Sequence, residues 1–135
     1  MIMSIFPRLR WIRQLGSAHY VYPTAKHTRW EHSLGVMKLA GDMVEHFMRV
    51  KPGACDQKDK LCVMIAGLCH DLGHGPFSHL FEKYIDTVSD KKWSHEESSL
   101  AMLDFLITEN ELWPKFVEFG FNEQDLVFIK VNLIN

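Results

Sequence analysis

The sequence predicts an all-α fold, and three kinds of observation lead to this prediction. Apolar residues recur at helical spacing after Thr28, where Leu34, Met37 and Val44 share one broad stripe. Two capping boxes, in which Thr or Ser is followed three residues later by Glu, mark helix starts at Thr28 and Ser94. The Pro52-Gly53 pair and single glycines separate the helical stretches from one another. The architecture that follows is a bundle of helices.

The predicted elements can be placed along the chain. Residues 17–27 carry β-branched and aromatic residues before Pro23 and are expected to form an extended loop or short strand. The run over residues 61–69 has no polar face and is expected to be buried on nearly all sides. The predicted helices cover residues 7–15, a stretch from Thr28 to before Pro52, a stretch capped by Asp56 that ends at Cys69, residues 77–85, a stretch from Ser94, residues 114–119, and a last stretch capped by Asn122.

Length and composition bound the function. The 135 residues, 47% of them hydrophobic, suffice for one domain with a core. A net charge of −2 and a pI near 6.4 give no global attraction to nucleic acid or to an anionic membrane. No apolar run reaches membrane-spanning length, and the odd count of three cysteines has no disulfide-framework spacing. An intracellular, reduced protein without a membrane partner is therefore expected.

The stretch LCHDLGHGPFSHLF, residues 68–81, organises the rest of the chain. His70 and Asp71 end the apolar helix, where a buried carboxylate without a partner would be costly. Imidazole and carboxylate together suit a divalent or transition metal ion, with Zn, Fe, Mn and Mg all compatible. His32, in the first turns of the helix after Thr28, is the leading additional ligand. The alternative is a buried His–Asp hydrogen bond without metal.

These residues resemble a known family. His32 followed by the His70-Asp71 doublet resembles the HD superfamily of metal-dependent phosphohydrolases, whose ligands run H…HD…D. The stretches RLRWIRQLG from Arg8, RWEHSLG from Arg29, AGLCHDLGHGPFSH from Ala66 and WSHE from Trp93 are similar to the deoxynucleoside triphosphate triphosphohydrolases of the SAM-and-HD-domain type. The resemblance extends over nearly the whole chain.

The resemblance implies roles for particular residues. The metal ligands would be His32, His70 and Asp71; the catalytic residues would be His74, His95 and Glu82; the substrate contacts would be Gln14, Leu15, Arg29 and His79. At Glu82 the family has Asp, so this chain departs from the pattern by one methylene. For His79 a surface role is equally consistent, and for Arg29 the alternative is an exposed first-turn residue.

Regulation and localisation also follow only from the resemblance. Arg10 matches a position in the family's regulatory guanine-nucleotide site. The basic stripe of Arg8, Arg10 and Arg13 is equally consistent with a solvated helix face. A homo-oligomer, and a location in the nucleus or the cytoplasm, are further expectations of the resemblance.

The family's fourth metal ligand is a second Asp on a helix well downstream of the doublet. Asp104 and Asp125 do not lie in a matching context. The sequence therefore predicts a partial HD domain over residues 1–135, truncated at its C-terminal side, with three of four metal ligands and no SAM domain. The expected consequences are weak activity of the isolated chain and an exposed apolar patch formed by Phe119, Phe121, Leu126 and Ile129.

Three functions fit these observations. The first is metal-dependent hydrolysis of a deoxynucleoside triphosphate to deoxynucleoside and triphosphate. The second is an HD phosphohydrolase that acts on another nucleotide or on RNA, because a fold and a doublet alone do not fix the substrate. The third is a weak or inactive paralogue fragment that binds nucleotide or assembles with a full-length relative. Gln14, Leu15 and Arg29 favour the first.

Overall fold

The computed structural model describes residues 5–90 and 92–134, which confirm the all-α prediction. These residues form seven α-helices and no β-strand, apart from one isolated bridge between Arg13 and Thr28. Two 3₁₀ turns, Leu9–Trp11 and Gly16–Tyr20, lie between the first two helices. The helices are α1 (Ile5–Arg8), α2 (Arg29–Val50), α3 (Gln57–Cys69), α4 (His79–Val88), α5 (His95–Glu109), α6 (Trp113–Glu118) and α7 (Glu123–Ile134).

Local capping sets where α2 and α3 begin. The Thr28 backbone N–H donates to the Glu31 carboxylate at 2.6 Å, which completes the predicted capping box. Asp56 Oδ1 accepts from the backbone N–H groups of Lys58 and Asp59 at 2.7 and 2.9 Å. Each cap satisfies amide groups that the first helical turn leaves without a partner.

The antiparallel pair of α2 and α3 forms the most extensive helix contact in the fold. His32 at the start of α2 lies beside His70 at the end of α3, while Lys60 near the start of α3 pairs with Glu45 at 2.7 Å. Helix α7 packs against α3 and is tied to it by Lys58 and Asp125, 3.1 Å apart. The pairing of α2 with α3 brings distant parts of the sequence together at one end of the bundle.

The core is built from the N-terminal turns, α3, α5 and α7. Its buried members are Leu9, Ile12, Cys62, Ala66, Cys69, Leu72, Leu103, Ile107, Phe121, Ile129 and Leu133. Helix α3 buries one stripe, and Leu61 is exposed, so the expectation of burial on nearly all sides was too broad.

The N-terminal helix predicted over residues 7–15 is wrong beyond Arg8. The chain tightens into the 3₁₀ turn and then extends at Ile12, whose carbonyl accepts from the Arg29 N–H at 2.9 Å. Leu9 and Ile12 are both buried in this arrangement. The turn that follows, Gly16–Tyr20, is likewise 3₁₀ where an extended loop was expected. Tertiary packing has overridden a weak local helical pattern here.

The expected apolar patch on the last helices is also wrong in part. Phe121 and Ile129 are buried core residues and Leu126 is partly buried against them, whereas Phe119 is exposed. Helix α7 therefore uses its apolar face against α3 and α5. None of the described helices combines the length and the hydropathy that crossing a membrane requires.

Candidate active site

The end of α3 and the start of α2 bring His32, His70 and Asp71 together. One potential ligand atom from each lies within 4.8 Å of the other two, as the sequence predicted. The Nε2 atoms of His32 and His70 are 3.1 Å apart. Asp71 Oδ2 is 3.5 Å from His32 Nε2, and Asp71 Oδ1 is 3.4 Å from His70 Nε2. Three ligand atoms thus face one point.

The chemistry of these donors fits a metal ion. His70 Nδ1 lies 2.7 Å from the Gly67 carbonyl oxygen, to which it can only donate, so Nε2 keeps its lone pair. Burial lowers the pKa of His32, even though Asp71 acts in the opposite direction, and this favours the neutral imidazole that a metal requires. Two imidazole nitrogens and one carboxylate oxygen suit Zn, Fe or Mn, and the carboxylate suits Mg.

Asp71 is held as a carboxylate. Burial alone would raise its pKa, but a hydrogen bond from His74, the electrostatic effect of the neighbouring His70 ring and the positive charge of Arg29 outweigh burial. The pKa of Asp71 therefore lies well below its ordinary value. His74 Nε2 is 3.3 Å from Asp71 Oδ1, and Arg29 Nη1 is 2.5 Å from Oδ2. A buried, ionised carboxylate beside two imidazoles is a competent ligand.

Arg29 is buried, with 2% of its surface exposed, so the alternative of an exposed first-turn residue is wrong. Its Nε donates to Ser78 Oγ at 3.0 Å and its Nη1 contacts Asp71. Its Nη2 is buried and has no hydrogen-bond partner among the described residues. A buried guanidinium with one unused donor can accept an anionic ligand at that nitrogen.

Ser78 links Arg29 to the loop that precedes Gln14. Its hydroxyl donates to the Arg13 carbonyl at 2.9 Å while accepting from Arg29. Phe77 and Ser78 have φ values of 63° and 57°, in the left-handed region that non-glycine residues rarely adopt. Strain of this kind persists only where surrounding contacts hold it, and it is common at functional sites.

Gln14 and Leu15 lie on this same loop. Gln14 Oε1 is buried and has no hydrogen-bond partner among the described residues. Leu15 is exposed, so its side chain offers an apolar surface to a ligand. An unused acceptor beside an exposed apolar side chain suits a ligand that carries both a hydroxyl group and a flat ring.

A second cluster joins His74, His79, His95 and Glu82. The rings of His74 and His95 stack with centroids 4.1 Å apart, and the ring of His79 approaches both edge-on. Glu82 Oε1 lies 3.4 Å from His95 Nδ1, and Oε2 lies 3.5 Å from His79 Nδ1. Glu82 therefore reaches both imidazoles despite the longer side chain, at the long end of hydrogen-bond distance.

The members of this cluster differ in burial. His74 is 1% exposed, burial lowers its pKa, and its Nδ1 has no partner among the described residues. His95 is part-buried, and His79 is largely exposed. Since His74 also contacts Asp71, this cluster adjoins the group of His32, His70 and Asp71.

Of the arginines in the basic stripe, Arg8 differs from the alternative of a solvated face, whereas Arg10 is exposed as that alternative requires. Arg8 donates to the carbonyls of Leu72 and His74 at 2.6 and 3.0 Å, so it braces the turn that follows His70. Arg10 is exposed and lies over the Trp30 ring, 4.2 Å from its centroid. Sequence reasoning missed Arg8 and Ser78 as site residues, because their partners lie 64 and 49 positions away and leave no local signal.

The HD domain family matches residues 29–115, and the chain belongs to that family. The chain is 47% identical over 133 residues to the deoxynucleoside triphosphate triphosphohydrolase SAMHD1 of Mus musculus, an alignment that covers 96% of this chain and 20% of that protein.

Two further relatives are also named as deoxynucleoside triphosphate triphosphohydrolases. Identity to the SAMHD1 of Xenopus laevis is 50% over 129 residues, covering 93% of this chain and 20% of the relative. Identity to the SAMHD1 homolog of Dictyostelium discoideum is 43% over 109 residues, covering 79% and 21%. The chain therefore spans about a fifth of the length of these relatives.

Proposed function

We propose that this chain carries the metal-ligand and proton-transfer clusters of a hydrolase that converts a deoxynucleoside triphosphate to deoxynucleoside and triphosphate. The observation that carries the proposal is the adjacency of His32, His70 and Asp71 to the stacked pair of His74 and His95. The names of the relatives supply the substrate class, since the geometry alone fits phosphoester hydrolysis in general.

His32, His70 and Asp71 would hold the metal ion through two imidazole nitrogens and a carboxylate. When bound, the ion would supply Lewis-acid activation of the attacking water and the phosphoryl oxygens. Three protein ligands leave coordination positions open for water and substrate.

Substrate binding is assigned to groups with unused hydrogen-bonding capacity. Arg29 Nη2 is a free buried donor beside Asp71 and suits a phosphate oxygen. Gln14 Oε1 is a free buried acceptor and suits a sugar hydroxyl, while Leu15 would pack against the base. His79, at the exposed edge of the second cluster, would contact the outer phosphates. Each unused group thus finds its partner only when a nucleotide is bound.

The proton transfers fall to the histidine cluster. Water adds to the α-phosphorus, the bond from phosphorus to the 5′ oxygen breaks, and the electron pair stays on that oxygen. His95 would donate a proton to the leaving 5′ oxygen, and His74 would accept one from the attacking water. Glu82 and Glu96, each with a carboxylate oxygen 3.4 Å from His95 Nδ1, would fix the orientation of that ring. Charge on the phosphoryl oxygens would be countered by Arg29.

Two further assignments stay predictions. A guanine-nucleotide regulator at Arg10 would have to displace or join the Trp30 contact of that guanidinium. An intracellular location suits three cysteines that are all unpaired.

Product analysis tests the proposal. The chain would be loaded with Mn²⁺, incubated with dGTP and compared with His70→Ala and with His46→Ala, an exposed histidine on α2, as the matched control. Metal-dependent release of triphosphate and deoxyguanosine by the chain and the control, but not by His70→Ala, supports the proposal. Release of monophosphate or diphosphate would indicate another phosphohydrolase. Nucleotide binding without any release at saturating Mn²⁺ would overturn the proposal in favour of a binding protein.

A further inference from the structure

Ser99 on α5 is completely buried, with 0% of its surface exposed, and it contacts the main chain of the turn that carries the site. Its hydroxyl donates to the carbonyl of His70 at 2.6 Å. The same oxygen accepts from the backbone N–H of Gly73 at 2.8 Å. The Ser99 side chain therefore bridges the two ends of the turn between His70 and Gly73 by hydrogen bonds.

Both main-chain groups need such a partner. The last carbonyl groups of an α-helix find no N–H donor within the helix, and His70 lies at the C-terminal end of α3. Gly73 is a buried residue of the turn, where an N–H without a partner would be costly. The peptide that follows His70 joins it to Asp71, so the bond to the His70 carbonyl fixes a peptide plane shared by two of the metal ligands.

Helix α5 approaches this turn more closely than any side chain at position 73 would permit. A Cβ on Gly73 would lie 2.3 Å from the His95 carbonyl oxygen and 2.4 Å from the Ser99 nitrogen. The first turn of α5 thus packs directly against the turn that follows His70 and Asp71. The absence of a side chain at Gly73 permits the approach, and the Ser99 hydroxyl supplies the hydrogen bonds that hold it.

His95 and Ser99 are one helical turn apart on α5 and lie on the same face. On that face His95 stacks on His74, with the two ring centroids 4.1 Å apart. On the same face Ser99 lies within hydrogen-bond distance of the His70 carbonyl. The position of His95 relative to His70 and Asp71 is therefore set through Ser99 and Gly73.

We infer that Ser99 is a positioning residue that holds the His70–Asp71 ligand pair and the His74–His95 pair in register through its two main-chain hydrogen bonds. The inference rests on the proposed function, because it requires an ion to be held at His32, His70 and Asp71. Partners that orient metal ligands from outside typically change metal affinity about 10- to 100-fold when removed. A purely structural serine would change unfolding alone.

The test measures metal binding, which does not depend on turnover. Co²⁺ would be titrated into the metal-free chain, and the affinity and the visible absorption bands would be recorded for wild type, Ser99→Ala and Ser98→Ala. Ser98, the neighbouring residue on α5, is the matched control, since its side chain makes no hydrogen bond to the turn. Thermal unfolding of each metal-free variant would be followed in parallel.

The expected result is a loss of Co²⁺ affinity of about tenfold or more for Ser99→Ala, with shifted absorption bands, and wild-type behaviour for Ser98→Ala. Co²⁺ binding by Ser99→Ala that equals wild type, whatever its melting temperature, would overturn the inference. An equal loss in both variants would overturn it as well. Failure of the wild-type chain to bind Co²⁺ at all would instead contradict the metal site of the proposed function.

A second measurement on the wild-type chain covers the case in which Ser99→Ala does not fold. Binding free energies are reciprocal, so metal binding that depends on the Ser99–Gly73 hydrogen bond must also strengthen that bond. Hydrogen exchange of the Gly73 amide should slow on Co²⁺ binding by more than that of Ile129 in α7. Equal slowing of both amides would overturn the inference.

Discussion

The Nε2 atoms of His32 and His70 face each other at 3.1 Å, across the junction of α2 and α3. A neutral imidazole carries one N–H, and His70 uses its own at Nδ1 for the Gly67 carbonyl. Two ring nitrogens aimed at each other beside a carboxylate can share either a proton or a cation. The nearby Asp71 carboxylate, whose pKa lies below its ordinary value, favours the cation.

Breaking the Arg29–Asp71 ion pair should lower the free energy of unfolding by a large amount. Arg29→Ala removes one partner of a buried pair and leaves the Asp71 carboxylate without its guanidinium partner in the metal-free protein. The free energy of unfolding should fall by about 3 kcal/mol or more. Arg49→Ala, on the same helix but exposed, should change it by less than about 0.5 kcal/mol. Urea unfolding of the metal-free variants measures both, and equal effects would show that the pair is not a stability determinant.

Replacing Glu82 should lower turnover without changing the affinity for the metal ion. Glu82→Ala removes the carboxylate that lies near Nδ1 of both His95 and His79. Glu96 Oε2, also 3.4 Å from His95 Nδ1, is then the remaining carboxylate at that ring, so His95 is held less firmly. Turnover should fall about a hundredfold, the usual size of a proton-transfer contribution, while Mn²⁺ affinity is retained. Glu97→Ala, an exposed residue near the start of α5, is the control. If Glu82→Ala turns over as fast as Glu97→Ala, Glu82 does not belong to the catalytic set.

Two glycines give a matched test of the packing of α5. Gly73→Ala would force a Cβ to within 2.3 Å of the His95 carbonyl oxygen, and should lower the free energy of unfolding by about 1–3 kcal/mol. Gly35→Ala lies in the middle of α2, where a Cβ meets nothing within 4 Å, and should raise it by about 0.5–1 kcal/mol. Thermal unfolding reports both. Effects of the same sign would contradict the close approach at Gly73.

The three cysteines should differ in reactivity. Burial raises the pKa of Cys62 to about 11 and that of Cys69 to about 12, so at about pH 8 both remain thiols, which do not attack alkylating reagents. Cys55 is only half-buried. The native chain should therefore label once at about pH 8, and three times after unfolding in denaturant. Mass spectrometry counts the labels, and native labelling of Cys62 would contradict the packing of α3.

The parts of the fold that could be predicted from sequence depend on local signals. The capping box of Thr28 and Glu31, and the cap at Asp56, involve residues within three positions of each other, so both helix starts are correct. His70 and Asp71 could be proposed as metal ligands from sequence because they are adjacent and end a helix.

The rest depends on contacts that the local pattern does not encode. Arg8 and Ser99 act through carbonyls and amides on another element, and main-chain groups leave no trace in the sequence. Arg29 was open to an exposed interpretation because its partner Asp71 lies 42 positions away. The first helix was predicted too long, because burial of Leu9 and Ile12 on one side decides the path of the chain there.

The central claim is that His32, His70 and Asp71 hold one ion, and anomalous diffraction from crystals soaked in Mn²⁺ tests it most directly. One strong anomalous peak is expected, about 2.0–2.3 Å from His32 Nε2, His70 Nε2 and an Asp71 carboxylate oxygen. Crystals of His32→Ala should lack this peak, while those of His46→Ala should keep it. A strong peak elsewhere, or no peak in wild-type crystals at saturating Mn²⁺, would contradict the account.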